Sequence, residues 1–303
     1  TYSKTGTCFF VTTDSDGYLV TAAHVAKFTS KNTMIVISGI NNSPVKYKLG
    51  DIISEKNELN WTSHPNADVS VIKLDSKYLK HGIPFISFDM LKYNLGAPFR
   101  EDEVTVFGFP LSLGVGEKIS AISKTSKPSS GIIELPRFDN RQRSNFFLLD
   151  DPSVSGFSGG PIVQLLPQIG ATRFDIVNKN DENKIVGLVH GTINEKGGGF
   201  AAIVPSFYIK ETIESAPGFT GTFAFKHSNG QIWSERIYKN GVPITVLSNF
   251  DSNGVRQEKG TLINGNGTLF LYDEKNNLEM IRFYKKGSIQ RIDYLKKKEF
   301  KAK

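Results

Sequence analysis

Among the 303 residues there is one cysteine, Cys8, with two tryptophans, three methionines and five histidines. A single cysteine cannot close a disulfide within the chain, so stability has to come from packed cores. The same count excludes a cysteine-based zinc cluster. No run of about 18 or more apolar residues occurs, which excludes a transmembrane helix. One free thiol points to the cytoplasm rather than to export. The chain starts at Thr1 with no initiator methionine and so reads as processed or trimmed, which leaves the absence of a signal peptide uninformative about location.

What is there is a globular composition, 39% hydrophobic and 22% charged, long enough for about two domains. The net charge of +7 is unevenly placed. Residues 1–220 hold 22 basic against 22 acidic side chains, and residues 221–303 hold 15 against 8. Much of that excess sits in the run from Lys296 to Lys303, which reads as a solvated tail. No recognition motif accompanies it, so the charge gives no support for nucleic-acid or membrane contact.

Up to about residue 215 the chain reads as β. Short runs rich in Val, Ile, Phe and Thr recur at Cys8–Thr12, Tyr18–Thr21, Met34–Ile37, Val69–Leu74, Val104–Phe107, Phe146–Leu149, Pro161–Gln164 and Ile185–Val189, separated by Gly, Asn, Pro and Ser. That pattern predicts barrels or sandwiches of short antiparallel strands. Helix is expected only over Ala22–Phe28 and Pro205–Ser215. The texture changes at Ala216-Pro217-Gly218, which places a domain boundary between residues 217 and 218.

Beyond it, Asn229-Gly230, Asn253-Gly254 and Asn276-Asn277 recur about 24 residues apart. Asn240-Gly241, Asn264-Gly265 and Lys286-Gly287 interleave with them. Asn-Gly supplies the two positive-φ residues of a tight hairpin, so the spacing predicts consecutive β-hairpins that bury a core only by stacking. The segments Gln231–Gly241 and Glu279–Gly287 resemble the MORN-type repeats of bacterial proteins. That resemblance implies an antiparallel β module and names no ligand; the module is expected to position substrates or receive a regulatory partner.

Three segments carry chemistry, and their order matters most. They are Leu19–Val25 around His24, Ala67–Leu74 around Asp68, and Ser155-Gly156-Phe157-Ser158-Gly159-Gly160-Pro161. A hydroxyl nucleophile at neutral pH needs a base, and that base needs an acceptor on its other nitrogen to fix its tautomer. His24, Asp68 and Ser158 supply those parts in that order. An anionic tetrahedral intermediate must be met by backbone N–H groups. Glycine two residues before the nucleophile permits the turn that aims them, which nominates the amides of Gly156 and Ser158. Gly159 and Gly160 are expected to leave room for substrate.

With these segments, Thr5–Val11, Gly108-Phe109-Pro110, Ile185–Leu188 and Gly199–Ser206, residues 5–210 resemble a chymotrypsin-fold serine peptidase of the disulfide-free bacterial kind, similar to HtrA and glutamyl endopeptidases. The resemblance implies an all-β fold of two six-stranded antiparallel barrels with the site at their interface. It implies a protein or peptide substrate and an acyl-enzyme, and neither cofactor nor metal. His24 would be the general base, Asp68 its orienter and Ser158 the nucleophile. Phe157 stands where zymogen-activated relatives carry Asp, so activation by a buried new N-terminus is not expected. It leaves two states open, an active enzyme and a latent or inactive binding protein whose oxyanion loop needs a partner.

The resemblance further implies a substrate pocket between Asp151–Ser155 and Val189–Thr192, with Asp151, Ser153 and His190 as its polar residues. His190 could receive an acidic or amide side chain if it faces the pocket, and a one-residue offset in a strand would turn it away. The remaining candidates carry blander expectations. His64 reads as a loop residue before Asp68, His81 and His227 as surface residues without partners, Cys8 as a buried thiol, and the Asp150-Asp151 pair as structural rather than an acid–base pair. The polar stretch between Pro161 and Ile185 reads as a long loop or hairpin.

Overall fold

The structure, a computed structural model, describes residues 5–13, 15–55, 58–80, 83–92, 95–164, 184–195, 198–227, 230–273 and 276–295. His81, most of the stretch between Pro161 and Ile185, and the tail from Lys296 lie outside these. The chain is built of strands with a few short helices, as the sequence pattern predicts. It forms two compact units, which meet in sequence between Ile213 and Glu214.

The first unit contains a five-stranded sheet in the order Thr62–Ser63, Ser70–Lys73, Gly17–Thr21, Phe9–Thr12, Phe85–Ser87. A two-stranded ribbon, Met34–Ser38 with Pro44–Lys48, belongs to the same half. A seven-stranded sheet follows, ordered Ile133–Pro136, Arg143–Leu149, Gly198–Pro205, Lys184–Glu195, Pro161–Gln164, Val104–Gly108, Ile122–Ser126. Pairing is antiparallel except between Phe9–Thr12 and Phe85–Ser87, which run parallel. A parallel pair needs a long crossover, and the chain between those two strands provides one.

Each sheet owns a core. Phe10, Leu19, Ile35, Ile37, Leu49, Ile52, Ile72 and Leu74 pack in the first half, with Cys8 against them. Burial pushes the Cys8 thiol up to about 12. Val104, Val106, Phe147, Leu149, Phe157, Ile162, Val186, Val189 and Ile203 pack in the second. In Arg143–Leu149 the consecutive side chains of Phe146 and Phe147 are both buried, so this strand is covered on both faces at its centre.

The second unit holds two three-stranded antiparallel sheets, Gly221–Lys226, Ile232–Lys239, Val242–Asn249 and then Gly267–Tyr272, Leu278–Lys285, Ser288–Tyr294. Their registers correspond. Gly221 opposes Tyr238 as Gly267 opposes Tyr284, and each first pair slips register one residue before its end. Asn240-Gly241 and Lys286-Gly287, all at positive φ, close the second hairpin of each sheet. Buried Arg236 lies over the rings of Phe225 and Trp233 at 4.7 and 4.9 Å. His227 departs from the surface role expected of it. It is half-buried, and its Nε2–H donates to the Phe250 carbonyl at 2.8 Å.

Candidate active site

The short helix Ala23–Ala26 follows directly on the buried strand Gly17–Thr21, so His24 is held by an element anchored in the first core. Asp68 sits in the turn before strand Ser70–Lys73 and is fully buried. That turn is built by His64, whose Nδ1 accepts the amides of Asn66 and Ala67 at 3.1 and 2.9 Å. Its Nε2 meets Glu211 on helix Ser206–Glu214 at 3.2 Å. His64 is therefore a scaffold for the carboxylate.

Asp68 gathers four donors. Its Oδ1 accepts the His24 amide at 2.9 Å and Arg137 Nη2 at 3.1 Å. Its Oδ2 accepts Nδ1–H of His24 at 2.7 Å and Nδ1–H of His190 at 2.6 Å. Burial alone would raise this carboxyl, but the hydrogen bonds from His190 and His24 outweigh it and hold the group well below the usual carboxylate range. Two imidazoles facing one carboxylate oxygen must both carry the proton on Nδ1. The arrangement therefore leaves Nε2 of His24 as its unprotonated nitrogen when the ring is neutral. His190 Nε2 receives the Phe138 amide at 3.3 Å, which fixes that ring as the neutral Nδ1–H tautomer. The donor atoms of His24, Asp68 and His190 lie within 4.8 Å of one another, close enough to consider a cation. In this structure the short distances from each Nδ1 to Oδ2 are those of hydrogen bonds.

Ser158 joins this cluster through His190. Its hydroxyl donates to the His190 carbonyl at 3.2 Å, and no hydrogen bond joins it to His24. The loop around it is tightly held. Thr7 N–H donates to the Ser158 carbonyl at 2.9 Å, and Thr7 Oγ1 donates to the Gly156 carbonyl at 2.6 Å. Gly159 N–H donates to Val189 O, and Val189 N–H to Gly160 O. Gly156 sits at φ +105° with Phe109 O 2.4 Å from where a Cβ would be. Phe157 is buried in the second core, a contribution of about 1.5–3 kcal/mol that fastens the loop from below. Among the described residues, the amides of Gly156 and Ser158 donate to no protein acceptor. Gly159 and Gly160 do not leave room for substrate as expected. Added Cβ atoms there would meet Thr7 O and Phe107 O at 2.3 and 2.2 Å, so these glycines admit neighbouring backbone.

Of the expected pocket residues, Asp151 and Ser153 line one recess with Val189, and His190 does not. Asp151 is exposed and paired with Lys124 at 3.4 Å. The Ser153 carbonyl accepts Thr192 Oγ1 at 2.5 Å. His190 is only 2% exposed, with both ring nitrogens engaged. It is the extra residue of a β-bulge, because register slips between Val189 and Gly191. The bulge turns the side chain inward onto Asp68. Asp150 is separate from Asp151 in role. It accepts the Lys127 amide and Ser126 Oγ, which lower its carboxyl.

Sequence reasoning missed Arg137 and Phe138. Arg137 is buried, bridging Asp68 and, through Nε and Nη2, Asp139 at 2.9 and 2.7 Å. Phe138 stacks on His190 at 4.2 Å and meets the His24 ring edge-on at 4.8 Å. The stretch Arg137-Phe138-Asp139 carries no motif, and its contacts reach far along the chain, so no local signal could have found it.

Residues 6–166 match the trypsin-like peptidase domain family. The chain belongs to that family. Among solved structures, the MamO protease domain of Magnetospirillum magneticum is 12% identical over 63% of this chain and 80% of its own, with TM-score 0.41. The HtrA-type protease AlgW with a decapeptide is 18% identical over 73% and 56%, TM-score 0.44. The same protease with a tripeptide is 16% identical over 95% and 86%, TM-score 0.44. No curated protein matches the chain. Within this trypsin-like peptidase domain, His24, Asp68 and His190 are neighbours, and Arg137 and Phe138 close over them.

Proposed function

We propose that the first unit is a serine endopeptidase that works through an acyl-enzyme. His24 acts as general base, Asp68 as its orienter and Ser158 as nucleophile, with the amides of Gly156 and Ser158 receiving the oxyanion. The observation that carries this reading is the Nδ1–H tautomer Asp68 imposes on His24, which keeps Nε2 available to take a proton. Support comes also from the two unengaged amides beside Ser158, held by Thr7 and Phe157. The reaction requires the Ser158 hydroxyl to leave the His190 carbonyl and turn toward His24. Such looseness is common in apo sites and tightens with substrate.

The second unit, in this reading, is a MORN-like module that positions substrates or receives a regulatory partner. The matching registers of its two sheets support that assignment. A second reading has its own observation. A hydroxyl engaged with His190 O suits a latent enzyme or a peptidase-fold binding protein. A fluorophosphonate probe separates the two. Labelling of Ser158 in the isolated protein is the expected result. Absence of labelling, with labelling restored by a partner, would show latency, and absence under every condition would sink the enzyme reading.

A further inference from the structure

The hairpin loop between strands Ile133–Pro136 and Arg143–Leu149 brings two opposite charges up to the buried carboxylate of Asp68. Arg137 leads the loop and is 4% exposed. Its Nη2 donates to Asp68 Oδ1 at 3.1 Å. The same guanidinium forks onto Asp139, with Nε donating at 2.9 Å and Nη2 at 2.7 Å. Arg137 is thus shared, two short bonds to Asp139 and one longer bond to Asp68. The loop is closed by Arg137 N–H on the Gln142 carbonyl at 2.9 Å. Gln142 Nε2 in turn donates to the Pro65 carbonyl at 3.1 Å, in the turn that leads to Asp68.

Charges fixed at this place act on His24 as well as on Asp68. The imidazolium that forms when His24 takes a proton is stabilised by the negative charge on Asp68. A guanidinium on the other oxygen of that carboxylate opposes the stabilisation, and a second carboxylate on the guanidinium restores part of it. Burial keeps these effects from being screened as surface charges are. The other ionisable groups facing the cluster are few. His190 is neutral through its own hydrogen bonds, and Lys27 lies on the same short helix as His24. His64 and Glu211 stand at the foot of the Asp68 turn and pair with each other.

Resting on the peptidase reading above, we propose that Arg137 and Asp139 are positioning residues that set the strength of His24 as a base, acting through Asp68 in opposite directions. Arg137 weakens the base and Asp139 restores it. Among the described residues, neither side chain is hydrogen-bonded to His24 or Ser158, so their influence is carried by charge. Both stand in one stretch of three residues whose middle member, Phe138, lies against the His24 and His190 rings. A single loop therefore holds the ring in place and governs how strongly it attracts a proton.

The test makes Arg137→Gln, Arg137→Lys and Asp139→Asn in the full chain and follows the His24 ring by NMR across the histidine range, with the signal assigned by its loss in His24→Gln. Removing the cation should move the His24 midpoint up by about one pH unit relative to wild type, and removing the anion should move it down by about half a unit. Arg137→Lys keeps the charge and should stay within about 0.3 unit of wild type. A merely structural role would not produce shifts of opposite sign, since a loosened loop acts alike in both variants. Thermal unfolding checks that each variant is folded, and if Arg137→Gln is not, the downward shift in Asp139→Asn decides alone. Midpoints that stay at the wild-type value, move the same way, or coincide for Arg137→Lys and Arg137→Gln overturn the proposal. Fluorophosphonate labelling against pH is recorded on the same proteins. Labelling with unmoved midpoints removes the charge effect and keeps the peptidase reading. Midpoints that shift as stated in a protein that never labels keep the charge effect and remove the peptidase reading.

Discussion

Replacing Ser158 with alanine is expected to lower turnover by about 10⁴- to 10⁶-fold, a barrier increase of roughly 5–8 kcal/mol. The substitution removes one oxygen whose one hydrogen bond among the described residues goes to the His190 carbonyl. The surrounding loop is held by Thr7, Val189 and the buried Phe157 ring, none of which involves that oxygen. Stability should therefore change by about 1 kcal/mol or less. Thermal unfolding and progress curves on the same preparation check both statements. Turnover equal to wild type would remove Ser158 from the chemistry, and a collapsed melting transition would show that the hydroxyl is structural.

Asp68→Asn is expected to cost about 10⁴ in kcat. Here it should also cost stability, because Asp68 accepts from two imidazoles, an amide and a guanidinium. An asparagine presents N–H to at least one of those donors and leaves Arg137 buried beside a neutral group. Because Arg137 keeps its pair with Asp139, the cost is that of the unmet buried groups, about 1–3 kcal/mol. The acid limb follows the same logic. The folded carboxyl titrates below its unfolded value, so its contacts stabilise fully above about pH 4. They are lost as the pH falls through the lower folded value. Wild-type stability should therefore drop steeply in acid, and Asp68→Asn should be less stable at pH 7 with a shallower acid dependence. Urea unfolding at pH 7 and pH 3 measures both. Equal stability of the two proteins at pH 7 would mean the four-donor arrangement contributes nothing.

Much of the first unit was legible because its signals are local. The strands around Val20, Val71 and Ile162 follow from apolar runs between turn residues, and His24, Asp68 and Ser158 stand in short segments with their own chemical logic. The hairpins after Lys239 and Lys285 are written in two-residue turns that need positive φ. What could not be read depends on contacts distant in sequence or on irregular backbone. The β-bulge at His190 defeats the count of alternating faces that would assign its direction. Arg137 meets Asp68 across 69 positions, with nothing in its own neighbourhood to mark it. The partner of Asp151, Lys124, comes from a different strand. Gly159 and Gly160 suggest open space in sequence, whereas packed backbone from residues 7 and 107 takes it up.

The sulfur at position 8 gives the molecule a built-in gauge. Half-buried against the first core, its thiol is pushed up to about 12, so the reactive thiolate is scarce at neutral pH. Iodoacetamide and maleimides should pass the native protein by and mark it once the first core opens. The rate of mass gain then reports that opening alone, while a cysteine engineered onto the surface can carry a dye without competition from within.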